Sequence, residues 1–352
     1  MSLGGFLAAL PKVELHIHLE GAMPPETLLA LARRHRIALP ADGVEGLREW
    51  FRFRDFDHFV EVYLACSRVL RAPEDFQRLM ADFAAEQERQ GVRYCEVHFT
   101  IGTHWMNGLP VDEVLDALAE TIRDEERRRG VRVRLIPDIV RDVGARTADP
   151  TLDWALEAGR RGIAVALGLT GREAICPSDP YADHFAAAAE AGLHCVAHAG
   201  EHAGPASIEA VLGPCRAERV GHGVRAIEDA GLVARLAERR TPLEICPTSN
   251  VALGVVPDLA RHPFDRLRRA GVELSVNTDD PALFDTDLPR EYEKLAATFG
   301  YDAETLVDLA VAGVRHSFLS AAEKSKLAAE IRAEAERLAP RHLGRELAPL
   351  AS

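Results

Sequence analysis

Val13–Glu20 reads VELHIHLE. A short run rich in apolar and β-branched residues is read as a β-strand. In a strand, residues i and i+2 project from one face, so His16 and His18 can reach the same metal ion. An HxH pair alone suits a metal and a hydrogen-bonded structural role equally well. Its meaning depends on what other strands carry at the same end.

Seven further runs of this kind follow. They are Val92–Thr100 (VRYCEVHFT), Arg132–Val140 (RVRLIPDIV), Gly162–Thr170 (GIAVALGLT), His194–Glu201 (HCVAHAGE), Arg219–Arg225 (RVGHGVR), Pro242–Asn250 (PLEICPTSN) and Val272–Asp280 (VELSVNTDD). Amphipathic helical periodicity separates them, most clearly over Val111–Arg129 and Ala226–Arg239. Gly130, Gly162, Gly192 and Gly271 stand where helices hand over to strands, the place of a C-terminal cap. Eight strands alternating with helices suit an open doubly wound sheet or a closed barrel. Metal-ligand residue types recur at the C-terminal ends of strands one, five, six and eight. Only a barrel brings all those ends to one mouth. The expected fold is therefore an α/β (β/α)8 TIM barrel, one domain over residues 1–340.

Gly21–Gln90 is too long for one connection and predicts a helical insertion over the mouth. Within it, Trp50, Phe51, Phe53, Phe56 and Phe59 form either helix core or an apolar lid over a flat substrate. Helices are expected again over Asp287–Leu338. Residues 341–352 read as a poorly ordered tail.

The net charge of -13, from 42 basic and 55 acidic residues, argues against nonspecific binding to nucleic acid or anionic membrane. No run approaches the ~18–20 apolar residues of a membrane span, and the N-terminus lacks a signal-peptide pattern. Cys66, Cys95, Cys176, Cys195, Cys215 and Cys246 form no CxxC pair and read as reduced, buried thiols. The expected location is the cytoplasm. The oligomeric state is left open.

The HxH pair is joined by His198, in HAGE, and by Asp279 and Asp280, after VELSVNT. Three histidines and a carboxylate form a ligand set that zinc accepts. Glu201 is placed to exchange a proton with a substrate. His222, in RVGHG, is placed to orient a water or accept its proton. Each residue alone has a bland reading as a cap, a turn or a helix entry; together they describe a metal hydrolase. Walker, dinucleotide-loop, nucleophile-elbow and cytidine-deaminase patterns are absent. His35, His58, His262 and His342 are expected on the surface.

LPKVELHIHLEG, HAGE, RVGHG, EICPTSN and SVNTDDP, in this order, resemble the adenosine deaminase branch of the amidohydrolase superfamily. The likeness runs from about Leu10 to about Leu319. It implies one zinc per chain, held by His16, His18, His198 and Asp279, although iron and cobalt accept similar sites. It implies a small-molecule purine substrate that loses its 6-amino group. Glu201 would protonate N1 and His222 would position or deprotonate the attacking water. Asp280 would contact that water and N7, and the Gly171 N–H would contact N3.

Adenosine-specific members read HLDG where this chain has HLEG, and that aspartate contacts the ribose 5′-hydroxyl. Glu20, one methylene longer, implies a different 5′ group, as in 6-aminodeoxyfutalosine, or a missing ribose, as in adenine deaminases. Adenine-specific relatives resemble GLDSSE, with serine where Gly171 stands in GLTGRE. That favours a nucleoside. The competing classes are an amide or ester hydrolase on the same site and a catalytically silent relative. The second requires a lost ligand or proton donor, and none is lost.

Overall fold

The computed structural model describes residues 2–348. Eight strands form one parallel sheet in sequence order. They are β1 Lys12–His18, β2 Val92–Phe99, β3 Arg132–Val140 and β4 Ala166–Thr170. Then come β5 His194–Ala199, β6 Arg219–His222, β7 Leu243–Ile245 and β8 Leu274–Val276. The ring closes where Ile17 bridges Asp279 in parallel. There the His18 N–H donates to the Asp279 carbonyl at 2.8 Å and the Asp279 N–H to the His16 carbonyl at 3.1 Å. The fold is a (β/α)8 barrel. Its strands are buried almost throughout, as a sheet covered by helices requires.

All eight expected strands exist, and the later ones are shorter than read. In PLEICPTSN only Leu243–Ile245 is extended. Pro247 starts a helix over Pro247–Ala252, because its fixed φ and missing N–H suit a first helical turn. Gly130, Gly162, Gly192 and Gly271 all have positive φ. Val111–Arg129 is helical over the expected span.

Four helices fill the segment between β1 and β2: Pro25–His35, Val44–Trp50, Phe56–Ser67 and Pro73–Arg89. Asp55 caps Phe56–Ser67 by accepting from the His58 N–H at 2.8 Å. After β8 run the helices Leu288–Phe299, Ala303–His316 and Ala321–Leu343.

Three surface expectations fail. The last helix continues to Leu343, and its Leu338 and Ala339 are buried. Beyond it, both terminal nitrogens of Arg345 reach Glu304, at 2.6 and 2.8 Å; residues 349–352 lie outside the described residues. His58 and His262 are buried, not exposed. His58 Nδ1 accepts from the Arg54 N–H, and His262 belongs to a hydrogen-bonded chain behind the site. Among the described residues no helix is long and apolar enough to cross a membrane, and all six cysteines are unbridged.

Candidate active site

β1 carries His16 and His18 to the barrel mouth, β5 carries His198, and the segment after β8 carries Asp279. One donor atom from each lies within 4.8 Å of the others. His18 Nε2 and His198 Nε2 are 3.2 Å apart. Asp279 Oδ1 lies 3.4 Å from His16 Nε2 and 3.3 Å from His18 Nε2. Donors about 2.0–2.1 Å from a shared ion would stand roughly 3–3.5 Å from one another, and a water added to these four would make the site five-coordinate.

The proton positions also fit a metal. His16 Nδ1 donates to Glu244 Oε2 at 2.8 Å, and His198 Nδ1 donates to the Leu169 carbonyl at 3.0 Å. Both Nε2 atoms are then lone-pair donors, and that of His16 is buried with no hydrogen-bond partner. Lone pairs of the His16 and His198 imidazoles facing His18 Nε2 and a carboxylate in a buried space suit a cation.

The other expected residues surround this cluster. His222 and Asp279 sit in the left-handed region, at φ 60° and 66°. Side chains other than glycine adopt it at a cost of about 1–3 kcal/mol, which the surrounding hydrogen bonds must sustain. His222 Nε2 lies 3.8 Å from both Glu201 Oε1 and Asp279 Oδ2. Burial raises the Glu201 pKa, but His222 and His202 outweigh it and hold the carboxyl below its ordinary value. Burial and then the neighbouring Asp279 push Asp280 well up. Gly21 leaves room for Asp280: a Cβ there would stand 1.7 Å from Asp280 Oδ1.

His18, His198 and Asp279 of the metal cluster, with Glu201, His222, Asp280 and Gly171, share one cavity of about 340 Å³. Its outer walls are apolar and include Phe56, Phe59, Leu64, Met106 and Val143. The aromatic run is therefore both things at once. Phe51 is buried in the core, whereas Phe56 and Phe59 roof the cavity.

Glu20 is the expected substrate contact that the structure places elsewhere. Its carboxylate is buried behind the wall. Oε1 accepts from the Thr100 N–H and hydroxyl, at 3.1 and 2.6 Å, and bonds His104 Nε2 at 3.0 Å. Oε2 accepts from the Tyr63 hydroxyl at 3.2 Å.

The adenosine deaminase family model matches residues 11–334. The chain belongs to the adenosine deaminase family. It is 40% identical over 331 residues to the aminodeoxyfutalosine deaminase of Streptomyces coelicolor, covering 94% of this chain and 85% of that one. It is 38% identical over 322 residues to the adenine deaminase of Cupriavidus taiwanensis, covering 91% of each. The crystal structure of an amidohydrolase from Burkholderia ambifaria with bound Zn is similar at TM-score 0.89 and 28% identity, covering 98% of this chain and 96% of that one. The family and superfamily are those the motifs resemble.

Several residues of this deaminase-family site escaped the sequence reading. His98, on β2, bonds Asp138 through Nδ1 at 3.0 Å, and its ring centroid lies 4.6 Å from that of His16. Its position at a strand end was the available signal. Ser249 donates to Asp279 Oδ2 at 2.6 Å. Glu173 holds the loop that carries Glu201: it accepts from the N–H groups of Gly200 at 2.8 Å, Glu201 at 2.7 Å, His202, and Ala203 at 2.8 Å.

Proposed function

We propose that the protein is a zinc-dependent deaminase that replaces the 6-amino group of adenosine, or of a 5′-modified adenosine, with oxygen and releases ammonia. The observation that carries this reading is the single cavity onto which the metal cluster opens through His18, His198 and Asp279, and which Glu201, His222, Asp280 and Gly171 also line. Zinc held by His16, His18, His198 and Asp279 would supply a Lewis acid that lowers the pKa of a water from ~15.7 toward ~7.

The chain's own groups do the rest. The Gly171 N–H meets purine N3 and Asp280 meets N7, which fixes the ring with C6 toward the metal donors. His222 positions the attacking water. Glu201 takes a proton from that water and delivers it to N1 as the C6–O bond forms. The tetrahedral carbon then collapses. Its hydroxyl proton passes through Asp280 to the amino nitrogen, the C–N bond breaks, and ammonia leaves. The product keeps the N1 proton and is a 6-oxopurine.

Two features support a nucleoside. At Gly171, φ is +100° and a Cβ would stand 2.4 Å from Asp142 Oδ2, so serine has no place in this loop. The cavity is also lined by the apolar side chains of Leu64, Met106 and Val143, which suits a substrate that carries more than the free base. Thr100, His104 and Tyr63 hold the Glu20 carboxylate, so we read it as unavailable to a ribose 5′-hydroxyl, which supports a different 5′ group. The comparable identity to an adenine deaminase makes free adenine the alternative substrate.

Glu201→Gln tests the reading. It is expected to lower kcat at least about 10²-fold with metal content unchanged. Undiminished ammonia release by that variant would overturn the assigned proton transfer.

A further inference from the structure

Behind His222 lies a chain of three hydrogen bonds whose direction is set by a backbone amide. The Phe264 N–H donates to His262 Nδ1 at 3.1 Å. A backbone N–H only donates, so His262 Nδ1 carries no proton and its Nε2 does. His262 Nε2 then donates to Asn250 Oδ1 at 3.1 Å. This fixes which end of the Asn250 amide is oxygen, so its Nδ2 faces His222 Nδ1, at 3.1 Å, and donates to it. His222 Nδ1 is thereby an acceptor, and the remaining ring proton sits on Nε2. His262, Asn250 and His222 are all buried, at 2%, 0% and 1% exposure, so no bulk water substitutes for any link. Every alternative assignment sets two N–H groups against each other at some link, at the cost of a buried unsatisfied donor.

We propose that Asn250 and His262 are positioning residues that lock His222 as its Nε2–H tautomer, so that it holds the attacking water by donating to the water oxygen and does not serve as the base. Nε2 faces acceptors on two sides, Glu201 Oε1 and Asp279 Oδ2, each 3.8 Å away. A donor between them leaves room for a water that accepts from His222 and gives its proton to Glu201. For His222 to take that proton it would need a free Nε2 lone pair and a proton on Nδ1, where the Asn250 amide already points a hydrogen. The left-handed backbone of His222, at φ 60°, is what turns the ring between these partners.

The role of the water rests on the deaminase reading, but the tautomer is measurable whatever the substrate. The experiment is nitrogen-15 NMR of the histidine side chains in the metal-loaded full chain, assigned with His222→Gln. His222 is expected to show a protonated Nε2 and an unprotonated Nδ1. Asn250→Asp, nearly isosteric, replaces the donor with an acceptor and is expected to move the proton to Nδ1. It should lower kcat about 10-fold or more while KM stays within about twofold. His262→Leu should release the tautomer, and His262→Gln, which keeps one acceptor and one donor, should restore both tautomer and kcat. A proton on Nδ1 of His222 in the wild-type protein, or an unchanged tautomer in Asn250→Asp, would overturn the inference. Either result can occur with or without ammonia release, so failure of the relay is distinguishable from failure of the proposed function.

Discussion

Glu173 binds one loop through both carboxylate oxygens, and the loop presents Glu201 to the cavity. The Ser207 hydroxyl adds a further bond at 2.9 Å. Glu173→Gln replaces one oxygen with an amide nitrogen that faces N–H groups, and charge-assisted bonds lose their charge. A loss of about 2–3 kcal/mol is expected in urea unfolding, with a fall in kcat of about 10-fold. His262 gives a pH prediction. Burial first, and then His222, lower its pKa from 6.5 to about 4. The unfolded chain then binds a proton that the folded chain refuses as pH falls from about 6.5 to about 4. Stability from this group is lost at roughly 1.4 kcal/mol per pH unit across that window and is unaffected above it. Unfolding curves at pH 7 and pH 5 should show a smaller acid loss in His262→Gln than in the wild type. That His16, His18, His198, Glu201, His222 and Asp279 meet at one mouth was legible because strand ends can be located from sequence and converge there. Glu244, Ser249, Asn250 and His262 were not, because their roles lie in which partner each touches across the barrel.

The helix Phe56–Ser67 is the element that roofs the site. It is tied to the loop after β4 where Arg172 bonds both Asp57, at 2.8 Å, and Asp142, at 2.8 Å. Phe56 also packs at a tilt against His202, with ring centroids 4.1 Å apart, beside Glu201. Asp57 is 80% exposed at its side chain, so the ion pair across the mouth is weak. Arg172→Met is expected to raise KM about two- to threefold and leave kcat nearly unchanged, as loosening a lid does. An unchanged KM with a large fall in kcat would place Arg172 in the chemistry instead. The aromatic composition of Trp50–Phe59 announced an apolar surface, but not its division. That division falls at Asp55, which caps the helix whose Phe56 and Phe59 line the cavity.

At the scale of the molecule, the barrel was legible from eight strand-like runs and the recurrence of ligand types at their ends. The bonds that close it were not, since they join the backbones of His16 and His18 to that of Asp279, far apart in sequence. Those same residues would hold the metal, so the ion would tie β1 and β5 to the segment after β8. Binding that favours only the folded chain stabilises it by about 4 kcal/mol when free metal is ~1,000 times Kd. Removing the metal with a chelator should lower the thermal midpoint, and restoring zinc should recover it. His16→Ala should abolish the difference.

The most direct test of the central claim is ammonia release by the zinc-loaded protein from adenosine, 6-aminodeoxyfutalosine and adenine, compared by kcat/KM. The account predicts a clear preference for one of the two nucleosides, with adenine the poorest substrate. A preference for adenine, or no ammonia from any of the three with zinc bound, would contradict it.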